Sequence, residues 1–338
     1  MINTLWFLVL TVMLAGYAVL DGFDLGVGIL HLVLGGDTKD RETAINAIGP
    51  VWNGNEVWLL AAGGSMVAAF PHLYAAAFSG FYLALMIVLW LLILRGIAIE
   101  LRHQVDNPLW RDGWDVTFCF ASALLAVLFG AAVGNVLRGV PFDTEGNFQG
   151  SFALILNPFA LLCGVLSLVA LALHGAAYLA MKTEGLLQRR ARRAILPLWV
   201  GMIALLAAVT AASFAVQPGF TANFDRWPLL ALIPVLGLAA AAAIPLFCRR
   251  GRDTAAFLAS GALIVSVLGS AAAGLYPRLL LGLPGSAIPA LDIYNSASST
   301  RSMTIALGVY LFGMAIVIVY LVNVYRVWRG KVSGGYHL

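Results

Sequence analysis

Nine stretches of about 20 mostly apolar residues recur along this chain, and they leave few architectures open. They run roughly over 5–34, 51–70, 76–101, 115–137, 157–181, 195–216, 228–247, 255–276 and 304–326. Segments of this length match the bilayer core, where backbone polar groups must be satisfied within helices or closed barrels. Composition agrees: 61% of residues are hydrophobic and 11% are charged, against about 25% charged in soluble domains. Mean hydropathy is +0.92. The pattern predicts an all-α integral membrane protein, one polytopic domain over 1–338 with about nine transmembrane helices. The formal charge of +4 lies in loops, and no basic, aromatic-interleaved surface suggests nucleic acid.

Lys and Arg assign the sides. The first, third, fifth and seventh loops and the tail hold fifteen, from Lys39 and Arg41 through Arg102, Arg189, Arg193 and Arg252 to Lys331. The opposite side holds four, Arg138, Arg226, Arg278 and Arg301. The positive-inside rule then puts the N-terminus outside and the C-terminus in the cytoplasm. Met1 to Trp6 lack a basic region and a cleavage site, so the first stretch reads as an uncleaved span. Val127-Leu-Phe-Gly-Ala-Ala-Val-Gly134 followed by Arg138 is similar to Val267-Leu-Gly-Ser-Ala-Ala-Ala-Gly274 followed by Arg278. That offset fits a parallel repeat of residues 5–140 and 155–280, with the ninth helix, 304–326, extra.

Charges within the apolar stretches are few. Asp21 and Asp24 lie three apart in the first, hence on one helix face. Glu56 lies about one turn into the second, and Arg95 and Glu100 lie near the end of the third. By the predicted orientation all five fall in the cytoplasmic half, with Asp24 about 15 Å from the inner end of its helix. Intramembrane charges are costly and mark proton or ion paths by default. Arg95 does not readily lose its proton and needs a carboxylate; one would suffice, and four are near in sequence. A proton path from the cytoplasm through the others is the functional expectation, and an internal salt bridge is the plain one. Gly22 and Gly26 form a GxxxG pair suited to close helix contact.

Other candidates carry less. Cys119, Cys163 and Cys248 have no CxxC or Cys/His spacing and read as small core residues. His72, His103 and His337 fall in loops or the tail. His31 and His174 lie toward cytoplasmic helix ends, as a bis-histidine haem would require, but polar packing is the simpler reading. Trp52, Trp58, Trp110, Trp114 and Trp328 suit an interfacial belt.

Leu20-Asp-Gly-Phe-Asp-Leu-Gly-Val-Gly28, Gly49-Pro-Val-Trp-Asn-Gly-Asn-Glu-Val-Trp58, Ala75-Ala-Ala-Phe-Ser-Gly-Phe-Tyr82 and the Arg95/Glu100 segment resemble subunit II of cytochrome bd-type quinol oxidases. The resemblance runs from about residue 5 to about 185 and is weaker beyond. It implies a fold of two four-helix bundles plus one helix in the bacterial cytoplasmic membrane. It also implies a heterodimer with subunit I, which carries haem b, haem d and the quinol site and reduces O₂ to water. This chain would bind none of those cofactors, would stabilise subunit I and would supply part of a proton path. Membrane lipids, a structural quinone in a groove of this chain and a small single-span accessory subunit remain open partners. Some members have Asp where this chain has Asn53; Glu56, three residues on, is the natural substitute. The expected path residues are therefore Glu56, Asp21, Asp24, Asn53 and Glu100, with Arg95 as charge partner. The rival readings are an H⁺- or Na⁺-coupled secondary transporter and a purely structural partner subunit.

Overall fold

The computed structural model describes residues 1–332; His337 lies outside them. The apolar stretches fold as helices α1 (Ile2–Leu34), α3 (Trp52–Ala69), α5 (Tyr82–Leu101), α6 (Pro108–Arg138), α8 (Pro158–Lys182), α9 (Gly185–Val216), α11 (Leu232–Arg249), α12 (Asp253–Leu275) and α13 (Thr300–Val327). Shorter helices join them: α2 (Thr38–Ile48), α4 (Pro71–Gly80), α7 (Phe152–Ile155) and α10 (Ala222–Arg226). Local chemistry sets the starts. Asn107 and Asn157 cap α6 and α8 ahead of a proline, accepting from the backbone N–H of Leu109 at 2.8 Å and Ala160 at 3.0 Å. Ser299 caps α13 by accepting from Ser302 N–H at 3.1 Å.

Eight helices among the described residues are long and apolar enough to cross a membrane. The remaining predicted stretch, the second, folds as α3 with 18 residues, but Asn53, Asn55 and Glu56 make its first turns polar. Three expectations need correction. The third stretch is broken at Phe81 into α4 and α5. α9 begins at Gly185, so Arg189 to Arg193 are helical rather than loop. The 277–303 connection contains a two-stranded antiparallel hairpin, β1 (Arg278–Leu281) with β2 (Ala290–Asp292).

Helix α1 is the hub. It packs against α3, α6, α8, α12 and α13. α5 lies on α6, α9 on α8, and α11 on α12, while α8 also meets α6 and α12. The α1–α8 crossing needs glycine: a Cβ on Gly26 would lie 2.0 Å from the Leu171 carbonyl oxygen, and one on Gly175 2.2 Å from the Gly26 carbonyl carbon. The packing role expected of Gly26 is thus met by Gly175 on the facing helix. Loops group at two ends. Arg190 reaches the Leu34 carbonyl (3.1 Å) and Lys331 the Thr183 carbonyl (3.1 Å) at one. At the other, Trp6 donates to the Met303 carbonyl (3.1 Å) and Val140 N–H to the Leu281 carbonyl (2.9 Å).

Candidate functional site

The hub helix carries the charge. Apart from the half-buried Ile29, every residue of α1 from Asp21 to His31 is buried, because α3, α6, α8 and α12 surround it. Arg95 of α5 points into this sheath and donates from one terminal nitrogen, Nη1, to both oxygens of Asp21, at 2.7 and 2.8 Å. Arg95 is 1% exposed and Asp21 is fully enclosed. Asp21 is therefore the carboxylate that Arg95 was expected to need. Glu56 of α3 reaches Nη2 of the same guanidinium at 3.8 Å, with a quarter of its side chain open.

Asp24 faces a different partner. Its Oδ2 accepts from Asn55 Nδ2 at 2.8 Å, and the Asn55 carbonyl oxygen accepts from Tyr325 Oη of α13 at 2.9 Å. Asp24 has no cation within ion-pair distance among the described residues. Its Oδ1 is buried without a hydrogen-bond partner, and so are Tyr17 Oη, Arg95 Nε and Trp58 Nε1. Buried polar atoms of this kind are exceptions that call for water, an ion or a role. Tyr17 lies one turn before Asp21 on α1, so several of these atoms cluster.

A second buried network lies further along α1. Asp115 of α6 accepts from Arg102 Nε (2.6 Å) and Nη2 (3.2 Å), from Arg41 Nη1 (3.2 Å), and faces His31 Nε2 (2.6 Å). Arg41 also binds Asp112 at 2.9 Å. His31 is thus a partner of Asp115. His174 sits elsewhere, with Nδ1 at 2.7 Å from Ser260 Oγ and Nε2 at 3.0 Å from the Val19 carbonyl, its ring stacked on Phe257. Both of its ring nitrogens are engaged, and one of His31's. These residues do not fit a bis-histidine haem.

Of the residues singled out in the sequence, the structure brings together Asp21, Asp24, Glu56 and Arg95. Glu100 is half-buried and makes no ion pair among the described residues. Asn53 is exposed and lines an open groove of about 440 Å³ with Gly54, Val57, Ile316, Val317 and Tyr320. It does not join the cluster. Trp52 is buried and Trp58 lies over Gly16, so both pack inside rather than in a belt. Asn55, Tyr325, Arg102 and Asp115 were not anticipated. Asn55 had a signal, since it is one residue from Glu56 in the quoted motif; Tyr325 had none. The three thiols are free.

A bundle of membrane-length helices with ion-paired and unpaired acids buried inside it defines a multi-pass membrane protein. The chain belongs to the family cytochrome bd terminal oxidase subunit II, whose model matches residues 2–328. It is 37% identical to the probable cytochrome oxidase subunit 2 of Haemophilus influenzae, over 96% of this chain and 92% of that one. Identity to the cytochrome bd-I ubiquinol oxidase subunit 2 of Escherichia coli K12 is 33%, with the same coverage. With the cytochrome bd ubiquinol oxidase subunit 2 of Bacillus subtilis it is 32%, over 98% and 97%. A bd oxidase structure from Geobacillus thermodenitrificans shares the fold, with TM-score 0.77 at 17% identity over 97% of this chain and 98% of that one. The protein is therefore a membrane subunit of a bd-type quinol oxidase, an oxidoreductase complex that pairs it with a subunit I. The secondary-transporter reading is set aside.

Proposed function

We propose that this chain stabilises the haem-bearing subunit I and conducts protons toward it from the cytoplasm, with Glu56 as the uptake group and Asp24 as the inner acid. The observation that carries the reading is the contrast between the carboxylates. Asp21 is locked by two contacts to Arg95, whereas Glu56 is partly open at 3.8 Å and Asp24 keeps one oxygen free. A relay group must take up and release a proton, so a fixed counter-ion serves poorly. Asp21 then acts by holding Arg95, whose charge lies between the two acids' neighbourhoods. The unpartnered atoms of Tyr17, Asp24 and Arg95 support a hydrated route past them. Asn53 lies outside it.

The end of the bundle with fifteen of the Lys and Arg residues faces the cytoplasm in this reading, so the N-terminus is outside. Haem b, haem d and the quinol site lie in subunit I; they supply the electron transfer and the O₂ reduction. The helices also read as a parallel repeat. α1 meets α3 and α6 as α8 meets α9 and α12, and α5 lies on α6 as α11 lies on α12.

The test uses the assembled oxidase. Glu56→Gln keeps shape and removes the acid, so it should leave haem content intact and slow O₂ consumption by about a hundredfold, at the low end of general acid–base effects. Glu56→Asp should retain more activity. Asp24→Asn should resemble Glu56→Gln. Wild-type turnover in all three, from mildly acidic to mildly alkaline pH, would leave a purely structural subunit.

A further inference from the structure

Two groups of arginines at the heavily charged end of the bundle contrast, apart from Arg326 and Arg329 by the end of α13. Around α1, α2, α5 and α6 each meets an acid. Arg41 pairs with Asp112 and Asp115, Arg102 with Asp115, Arg111 with Asp106, and Arg190 of α9 with Asp40 of α2. Around the junction of α9 with the α11–α12 turn the balance is opposite. Two acids lie there: Glu184, just before α9, faces Lys331 at 3.9 Å, and Asp253 gives both of its oxygens to Arg192, at 2.8 and 2.5 Å, while Gln188 adds a contact at 3.3 Å. Arg189, Arg193, Arg249, Arg250 and Arg252 are exposed and have no acid partner among the described residues.

These five belong to one surface. The Arg192–Asp253 pair ties the start of α9 to the start of α12, and Cys248 Sγ lies 3.8 Å from the Arg192 carbonyl oxygen. Arg189 and Arg193 are four apart and share a helix face. One or two turns toward the middle of the bundle, exposed aliphatic side chains follow on the same three helices: Leu196 and Val200, Leu246, and Leu258. Topogenic charge alone would be served by lysine. Here every unpaired cation is an arginine, whose planar fork matches phosphate oxygens two at a time.

We propose that this surface binds the phosphate headgroup of an acidic phospholipid, with its acyl chains along Leu196, Val200, Leu246 and Leu258. Unneutralised positive charge above an apolar face complements that molecule at both ends.

The probe is fluorescent tetraoleoyl cardiolipin, titrated into the detergent-solubilised two-subunit oxidase, with phosphatidylcholine as background lipid. Arg249→Gln/Arg250→Gln/Arg252→Gln should bind it about a hundredfold more weakly, given about fivefold for each of the three lost arginines near a membrane surface. Arg326→Gln/Arg329→Gln, which removes two charges at the end of α13 and just beyond it, should bind like wild type. Equal loss in both variants, or no loss in the first, overturns the site. Displacement of the lipid by equimolar inorganic phosphate would make it a free-anion site and overturn the lipid assignment. Should the triple variant fail to assemble, the wild-type complex decides: binding must weaken steeply with added salt, and salt-independent binding overturns the proposal.

Discussion

The two sets of four helices, α1, α3, α5, α6 and α8, α9, α11, α12, make corresponding contacts and differ in what they bury. Among the described residues, all five buried charged side chains, Asp21, Asp24, Arg95, Arg102 and Asp115, lie in the first set or, for Arg102, directly after its helix α5. The second buries His174, Ser213, Ser260 and Ser266, which are neutral or need no ion partner. Helix packing therefore does not require the charges, since the second set achieves it with apolar and hydroxyl side chains. Buried ion pairs are weak evidence for stability, because desolvation offsets their attraction. If the charges serve the proton path proposed above, removing them should affect turnover separately from stability.

The largest effect that tests this contrast is at Arg95. Arg95→Leu leaves Asp21 charged, enclosed and unpaired, and breaking such a pair costs about 3–5 kcal/mol. The expected result is poor yield of haem-containing complex and a lower Tm. Asp21→Leu/Arg95→Leu should recover much of the stability, since apolar replacement of a buried pair is often neutral. Recovery of stability without recovery of O₂ consumption would sharpen the contrast. Recovery of both would break it, by making the pair scaffold like everything in the second set.

Asp115→Asn comes next. It removes the charge that Arg102, Arg41 and His31 converge on, while the amide still accepts hydrogen bonds. Loss of a charged acceptor suggests about 2–3 kcal/mol, read as the Tm of the assembled oxidase. In the second set, Ser260→Ala removes the hydroxyl beside His174 Nδ1 and should cost about 1 kcal/mol with the pH profile of turnover unchanged. A changed profile there would show that the second set also handles protons.

Sequence made some of this visible and hid the rest, for identifiable reasons. Hydropathy located the helices because lipid imposes a length and a composition at once. It misplaced the start of α9, since helix propensity continues through Arg189–Arg193 while hydropathy does not. That Arg95 needed a carboxylate followed from its chemistry. That the carboxylate is Asp21, and not Asp24 three residues on, depends on how α1 is rotated against α5, which packing at Gly26 and Gly175 helps to set. Arg102 looked like a loop cation because it follows the last apolar residue; its burial comes from Asp115 on the next helix, which starts at Pro108, earlier than its apolar run. Tyr325 meets Asn55 across 270 residues of chain, a contact no local pattern announces.

The smallest effect concerns acid sensitivity at the edge of the first set. His103 follows Arg102 in the loop after α5. Crowding by the surrounding chain, then the adjacent Arg102 guanidinium, lowers its proton affinity below the ordinary 6.5, with Glu42 opposing. The ring is largely open to water, so screening keeps the contribution small. In the unfolded chain the imidazole binds a proton more readily than in the folded one. Stability is therefore unaffected well above that ordinary value and declines as pH falls through it. The α11–α12 turn, the corresponding connection in the second set, has Arg250 and Arg252 but no histidine. His103→Gln should thus narrow the gap between the Tm of the complex at neutral and at mildly acidic pH, while leaving the neutral value in place. If the gap is the same in variant and wild type, the acid limb arises elsewhere in the complex.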